Sequence, residues 1–161
     1  MTIRTVRLDL VPLDDDARAA IRAGDGAGRN WTEGYPTPGD LEVAALPAAP
    51  EPWTQYAIVE RVTGQTVGGV GFHREPLDGA VEIGYGIAPG VRGRGIATEA
   101  VRALLEVARA NGVGAVLADT DAGNLASERV LERCGFVRVG RDGASTTWIR
   151  DVREPRGAPG L

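Results

Sequence analysis

The chain has 161 residues, 43% hydrophobic and 25% charged, a composition that folds as one domain able to bury its own core without disulfide or metal staples. A net charge of -4, a pI near 5.1 and arginines spread without a dense basic block exclude a nucleic-acid footprint and favour a cationic small molecule or peptide as partner. All 18 basic residues are arginine, which removes a Walker-type phosphate loop and Schiff-base chemistry, and one histidine with one cysteine leaves no clustered metal ligands, so a metal-free mechanism is expected.

Taken in order, TVRLDLVPL (5–13) alternates as a strand, and Asp14, Asp15 and Asp16 open a short helix that Gly24 stops. Residues 24–52 change character, with glycines and prolines breaking regular structure apart from a helical turn at 39–46. Trp31 and Tyr35 stand among these breakers. A flexible linker would not need them, so the stretch reads as an ordered wall bordering a substrate pocket, with Trp31 and Tyr35 as candidate substrate contacts.

WTQYAIVERV (53–62) and TVGGVGFH (66–73) make an antiparallel hairpin around Thr63-Gly64-Gln65, and a turn at 76–79 leads into AVEIGYGIA (80–88). In that strand Val81, Ile83, Tyr85 and Ile87 share one face, while Glu82, Gly84 and Gly86 share the other. One side packs; the other is nearly bare backbone with a carboxylate at its start. After GVRGRG (90–95), Ala97, Val101, Leu104, Leu105 and Ala108 form the apolar stripe of a helix closed by Asn111-Gly112, with an ion-paired face opposite. VGAVLADT (113–120) is a buried strand joined to the previous one through that helix, hence a parallel crossover. Asn124 caps LASERVLERC, Gly135 ends it, and FVRVGRD with STTWIRD form a final hairpin. The expected fold is α/β (α+β): a single domain over 1–154, a mixed, mostly antiparallel sheet with one parallel crossover, and a flexible tail at 155–161.

The glycine-arginine loop carries the functional signal. A helix's first turn presents unpaired N–H groups and a partial positive charge, and glycines let a phosphate approach the backbone. Arg92 and Arg94 add charge-assisted hydrogen bonds, so the expected ligand carries more than one phosphate. Gly93-x-Gly95 is also part of a dinucleotide fingerprint, with Asp119 or Asp121 at the end of the next strand. Against a dinucleotide-binding domain, the third glycine position falls on Thr98, residues 88–92 separate loop from strand, and an antiparallel meander precedes the unit.

The segment resembles the pyrophosphate signature of the GCN5-related N-acetyltransferases (GNAT) in Arg92-x-x-Gly95-x-Ala97. The wider set is similar to the branch that includes ribosomal-protein N-terminal acetyltransferases: Glu82-Ile-Gly-Tyr, Gly93-Arg-Gly-Ile-Ala-Thr-Glu99, Asn124-Leu-Ala-Ser127 and Cys134-Gly-Phe136. The resemblance implies a GNAT-like domain whose sheet splays between strand 80–88 and strand 113–120, with acetyl-CoA as cosubstrate. Its pyrophosphate would lie against Arg92, Gly93, Arg94, Gly95, Ile96, Ala97 and Thr98, and its pantetheine arm along a bulged strand at Gly84 and Gly86. Backbone groups of Ile87 and Ala88 would meet the arm, an amide near Ile87 would polarise the thioester carbonyl, and Asn124 is either a partner of the arm or a helix cap.

Acetyl transfer to an amine requires a group that takes the amine's proton, and the departing thiolate gains from a nearby donor. Glu82 is the first candidate base; a solvent-facing strand glutamate is its alternative role. His73 ranks second. The matching position for the family's usual tyrosine acid is Leu131, so the resemblance shifts the thiol contact to Ser127, whose other reading is a serine assisting the Asn124 cap. Cys134 reads as core, and attack is expected directly in a ternary complex. The expected function is therefore N-acetyl transfer to a primary amine, either a peptide N-terminus or a small molecule, with a non-catalytic CoA-binding module as the alternative. The absence of an apolar signal core after Met1 and of any spanning segment gives a cytoplasmic expectation with no membrane partner.

Overall fold

A computed structural model describes residues 1–153; Glu154 and the expected tail at 155–161 lie outside the described residues. In chain order the elements are β1 (Ile3–Arg4), β2 (Leu8–Pro12), α1 (Asp15–Ala23), α2 (Pro38–Ala44), β3 (Gln55–Glu60), β4 (Gln65–Phe72), β5 (Ala80–Ile87), a 3-10 turn at Pro89–Val91, α3 (Ile96–Ala110), β6 (Ala115–Asp121), α4 (Leu125–Arg133), β7 (Val137–Asp142) and β8 (Ser145–Asp151). The strands form one mixed sheet in the order β1-β2-β3-β4-β5-β6-β8-β7. Of its seven strand pairings only β5–β6 is parallel, which leaves no doubly wound half to hold a dinucleotide.

The expected first strand divides in two. Thr5 N–H donates to Leu8 O at 2.9 Å, so the chain turns back and β1 pairs antiparallel with β2. Arg7 N–H leaves the ladder and donates to Glu99 at 2.9 Å instead. Elsewhere local chemistry stops the elements where it should. Asp14 caps α1 and Gly24, at φ 66°, closes it. Thr37 and Asp40 form a reciprocal capping box on α2, and Asn124 caps α4.

The core lies where α3 covers the sheet: Ala97, Val101, Leu104, Leu105 and Ala108 are all buried, as are Ile83, Val81 and Val116 on the strands. On the opposite face α2 sits over β4 and β5, since a Cβ at Gly69 would collide with Asp40 Oδ1 and one at Gly86 would stand 3.0 Å from Thr37 Oγ1. The sheet opens at its centre. β5 and β6 pair only at Ala80–Glu82 against Ala115–Leu117, and residues 83–87 and 118–121 have no partner across the gap. β5 itself is not bulged as expected: its register with β4 is continuous from Ile83↔Phe72 to Ile87↔Gly68, because glycines on both strands relieve the crowding that a bulge would otherwise absorb. Among the described residues no helix is long and apolar enough to cross a membrane.

Candidate active site

The opened edge of β5 faces a groove of about 430 Å³ between the glycine-arginine loop and α4. Gly93 and Gly95 both adopt left-handed backbone, φ 80° and 76°, which turns the loop's amides toward the groove. Gly95 is the N-cap of α3 and has no side chain to satisfy the first turn, so the amides of Ile96, Ala97 and Thr98 are available to an anion. Arg92 lines the groove and is partly folded back, its Nε donating to Ile87 O at 3.1 Å. Arg94 does not line it: its guanidinium lies 3.9 Å from Glu60, and its carbonyl accepts from Arg7 at 2.9 Å. Glu99 joins these parts, accepting from Thr5 Oγ1, Arg7 N and Arg7 Nε. Burial works to raise its carboxyl, but those hydrogen bonds outweigh it and hold Glu99 below the ordinary range.

In an antiparallel ladder alternate residues turn their N–H and C=O to the neighbouring strand. His73 N–H bonds Glu82 O and Ala88 N–H bonds Val67 O, so the even-numbered residues of β5 serve β4. The amides of Ile83, Tyr85 and Ile87 therefore face the gap. Ala88 does not line the groove; its N–H donates to Val67 O and its carbonyl accepts from Val91 N. Asn124 performs its cap, accepting from Ser127 N at 3.2 Å, and both residues line the groove. The Ser127 hydroxyl takes no part in that cap and makes no hydrogen bond among the described residues.

A second cavity, of about 180 Å³, lies on the other side of β5. Its floor is four glycines facing one way across two strands, Gly69 opposite Gly86 and Gly71 opposite Gly84. α2 is its roof. Tyr85 and Gly86 line both cavity and groove, so the two meet at the middle of β5. At one end His73 Nδ1 lies 2.7 Å from Glu82 Oε1. A carboxylate can only accept, so Nδ1 is the donor, and in the neutral imidazole it is Nε2 that has the lone pair. Nε2 stands over Gly84, 2.5 Å from where a Cβ would be. His73 lines the cavity and Glu82 does not. The hydrogen bond from His73 holds the Glu82 carboxyl below its ordinary value despite partial burial.

Of the two aromatics expected at the pocket, Tyr35 lines this cavity, while Trp31 packs edge-on against Tyr35, ring centroids 5.2 Å apart, and borders a separate depression. Sequence reasoning missed four participants. Tyr85, read as core, reaches α4 and donates to Ser127 O at 3.1 Å, and burial pushes its phenol up to about 12, so it stays protonated. Arg129 and Arg133 project into the groove from one face of α4, visible only as an i, i+4 pair. Asp40 was hidden in a Gly/Pro-rich stretch, although its spacing from Thr37 is that of a cap. Leu131, at the place of the usual tyrosine, is fully buried.

A parallel pair splayed beside a glycine-rich anion loop at a helix N-terminus defines the coenzyme A-dependent acyltransferase class. A family model for the acetyltransferase (GNAT) domain matches residues 7–137, and the chain belongs to that family. It is an acetyl-CoA-dependent N-acetyltransferase. No curated protein sequence matches it. Among solved structures it is similar to an acetyltransferase from Agrobacterium tumefaciens str. C58, with 25% identity over 93% of this chain and 94% of that one and a TM-score of 0.68. A probable GNAT-family acetyltransferase from Chromobacterium violaceum shares 26% identity over 94% and 86% of the chains, also at a TM-score of 0.68. The fold is likewise that of RimL, a ribosomal L7/L12 α-N-protein acetyltransferase in complex with coenzyme A, with 17% identity, 94% and 98% coverage and a TM-score of 0.68.

Proposed function

We propose that the enzyme transfers acetyl to a primary amine lodged in the glycine-floored cavity, by direct attack with both substrates bound. The observation that carries this reading is the meeting of cavity and groove at Tyr85–Gly86, with the His73 Nε2 nitrogen over the adjoining Gly84. The residues of the groove fit acetyl-CoA: uncapped amides at α3, arginines at 92, 129 and 133 that have no carboxylate partner among the described residues, and an unpaired strand edge for an amide-bearing arm. When bound, acetyl-CoA supplies the acetyl thioester, whose C–S bond is exchanged for the new C–N bond.

His73 Nε2 takes the amine's proton, which makes His73 the base and Glu82 the residue that fixes its tautomer and orientation, the reverse of their ranking by sequence position. The amides of Ile83, Tyr85 and Ile87 are the donors available to a carbonyl oxygen in the gap. The Ser127 hydroxyl, unbonded and in the groove, is the donor for the departing sulfur, and Tyr85 steadies it by holding the first turn of α4. Mixing protein, acetyl-CoA and an amine panel while following free thiol tests the reading. Amine-dependent thiol release that falls in His73→Ala, with acetyl-CoA affinity unchanged, is expected. Tight cofactor binding with no thiol release for any amine would identify a CoA-binding module instead.

A further inference from the structure

We propose that the cavity contains a cation subsite built on Asp40, so that the acceptor is a compact dication: a primary amine bearing a second positive charge a few bonds away. The inference rests on this cavity receiving the acceptor. Asp40 Oδ2 accepts from both Thr37 N and Thr37 Oγ1 at 2.8 Å, while Oδ1 makes no hydrogen bond among the described residues and bears on the glycine floor over Gly69. Among the described residues no cationic side chain pairs with this carboxylate and no arginine lines the cavity; Arg18 donates instead to Gln55 Oε1 and Leu46 O. The other acid of the lining, Glu42, is exposed at the rim, and Tyr35 presents an aromatic ring. A half-buried carboxylate without a counter-ion is costly to the fold and is satisfied when a ligand brings the cation. Burial accordingly raises the Asp40 carboxyl against the pull of its two bonds from Thr37.

The spacing sets the length of the ligand. Gly69 and Gly84 are diagonal neighbours across β4 and β5, since their direct opposites are Gly86 and Gly71. Groups standing over diagonal positions are roughly 7–8 Å apart, so an amine at His73 and a cation at Asp40 are bridged by about four methylenes. An acceptor carboxylate in the same place would face Asp40 with no arginine to receive it.

The test compares three amines of matched length: 1,4-diaminobutane, n-butylamine and 4-aminobutanoate. Binding to the coenzyme A-loaded protein is measured by calorimetry, and turnover by thiol release from acetyl-CoA. The diamine is expected to lead n-butylamine by about 10-fold or more in both affinity and kcat/KM, with 4-aminobutanoate last. In Asp40→Asn, checked for folding by its melting curve, the ratio of diamine to butylamine should collapse toward one. Gly69→Ala, which keeps the charge but displaces the carboxylate from the floor, should lower the ratio as well. Equal binding of diamine and butylamine to the wild type, no binding of either, or a ratio that survives Asp40→Asn overturns the subsite. Diamine binding that depends on Asp40 without thiol release would instead overturn the assignment of the acceptor reaction to this cavity and leave the subsite standing.

Discussion

Replacing Gly84 by alanine isolates the contribution of His73 without touching either member of the pair. A Cβ at Gly84 would lie 2.5 Å from His73 Nε2, and ordinary contact begins at 3.4 Å, so the imidazole must retreat by about 0.9 Å. The neighbour that yields is the end of a side chain, and alanine is intrinsically favoured over glycine in a strand by about 0.5–1 kcal/mol, so the fold should not suffer. The retreat breaks the alignment of Nε2 with the amine, or the 2.7 Å bond to Glu82, or both. Displacing a reacting group by about 1 Å costs on the order of 100-fold. Steady-state kinetics on the best amine of the panel should therefore show kcat down by about 100-fold, with the melting temperature and acetyl-CoA affinity close to wild type. Adding His73→Ala should cost little more, because both changes remove the same function. Full activity in Gly84→Ala would refute the assignment of His73 as base.

Glu99→Ala removes three accepted hydrogen bonds and releases Arg7 from the loop; a loss of about 1.5–3 kcal/mol, read as a fall of roughly 5–10 °C in melting temperature, should accompany weaker acetyl-CoA binding. Gly95→Ala places a Cβ at φ 76°, a strain of about 1–2 kcal/mol, and since nothing but Arg7 lies nearby the cost should appear as a raised KM for acetyl-CoA with kcat preserved. His73→Ala removes the bond that lowers the Glu82 carboxyl, so the 13C-detected titration of Glu82 should move upward. The stability that goes with a lowered carboxyl is present above its unfolded value, about 4.3, and is lost as pH falls through the folded value. The stability gap between wild type and His73→Ala should thus close in acid, and a gap unchanged at about pH 3 would contradict the pairing.

The parts of the fold written in local chemistry were legible: strand period, the Asp14 and Asn124 caps, the stripe of α3, and the glycine at 95 that leaves its first turn without a side-chain cap. What could not be read depended on register between distant segments. Gly69 and Gly71 look like ordinary weak points of a strand until β4 is set against β5, when they align with Gly84 and Gly86 into a floor. Arg94 looks equivalent to Arg92, yet Glu60, thirty-four residues earlier in sequence, draws its side chain away. Glu82 and His73 were both candidates, but only the pairing of the hairpin shows which nitrogen meets which oxygen, and that His73 rather than Glu82 lines the cavity.

The same dependence accounts for the departure at Leu131. A tyrosine there would need an open wall toward the groove, whereas Leu131 is sealed in the core, and the tyrosine that lines the groove comes from β5. Tyr85 arrives from the sheet, spans the gap and spends its proton on Ser127 O, so α4 is held from the strand side. Burial pushes its phenol up to about 12, so it stays protonated, and its one hydrogen is already engaged. The hydroxyl left uncommitted on that wall is Ser127. In the proposed mechanism an aromatic on the strand rather than the helix acts as a brace, and the sulfur contact falls to the smaller side chain that it positions.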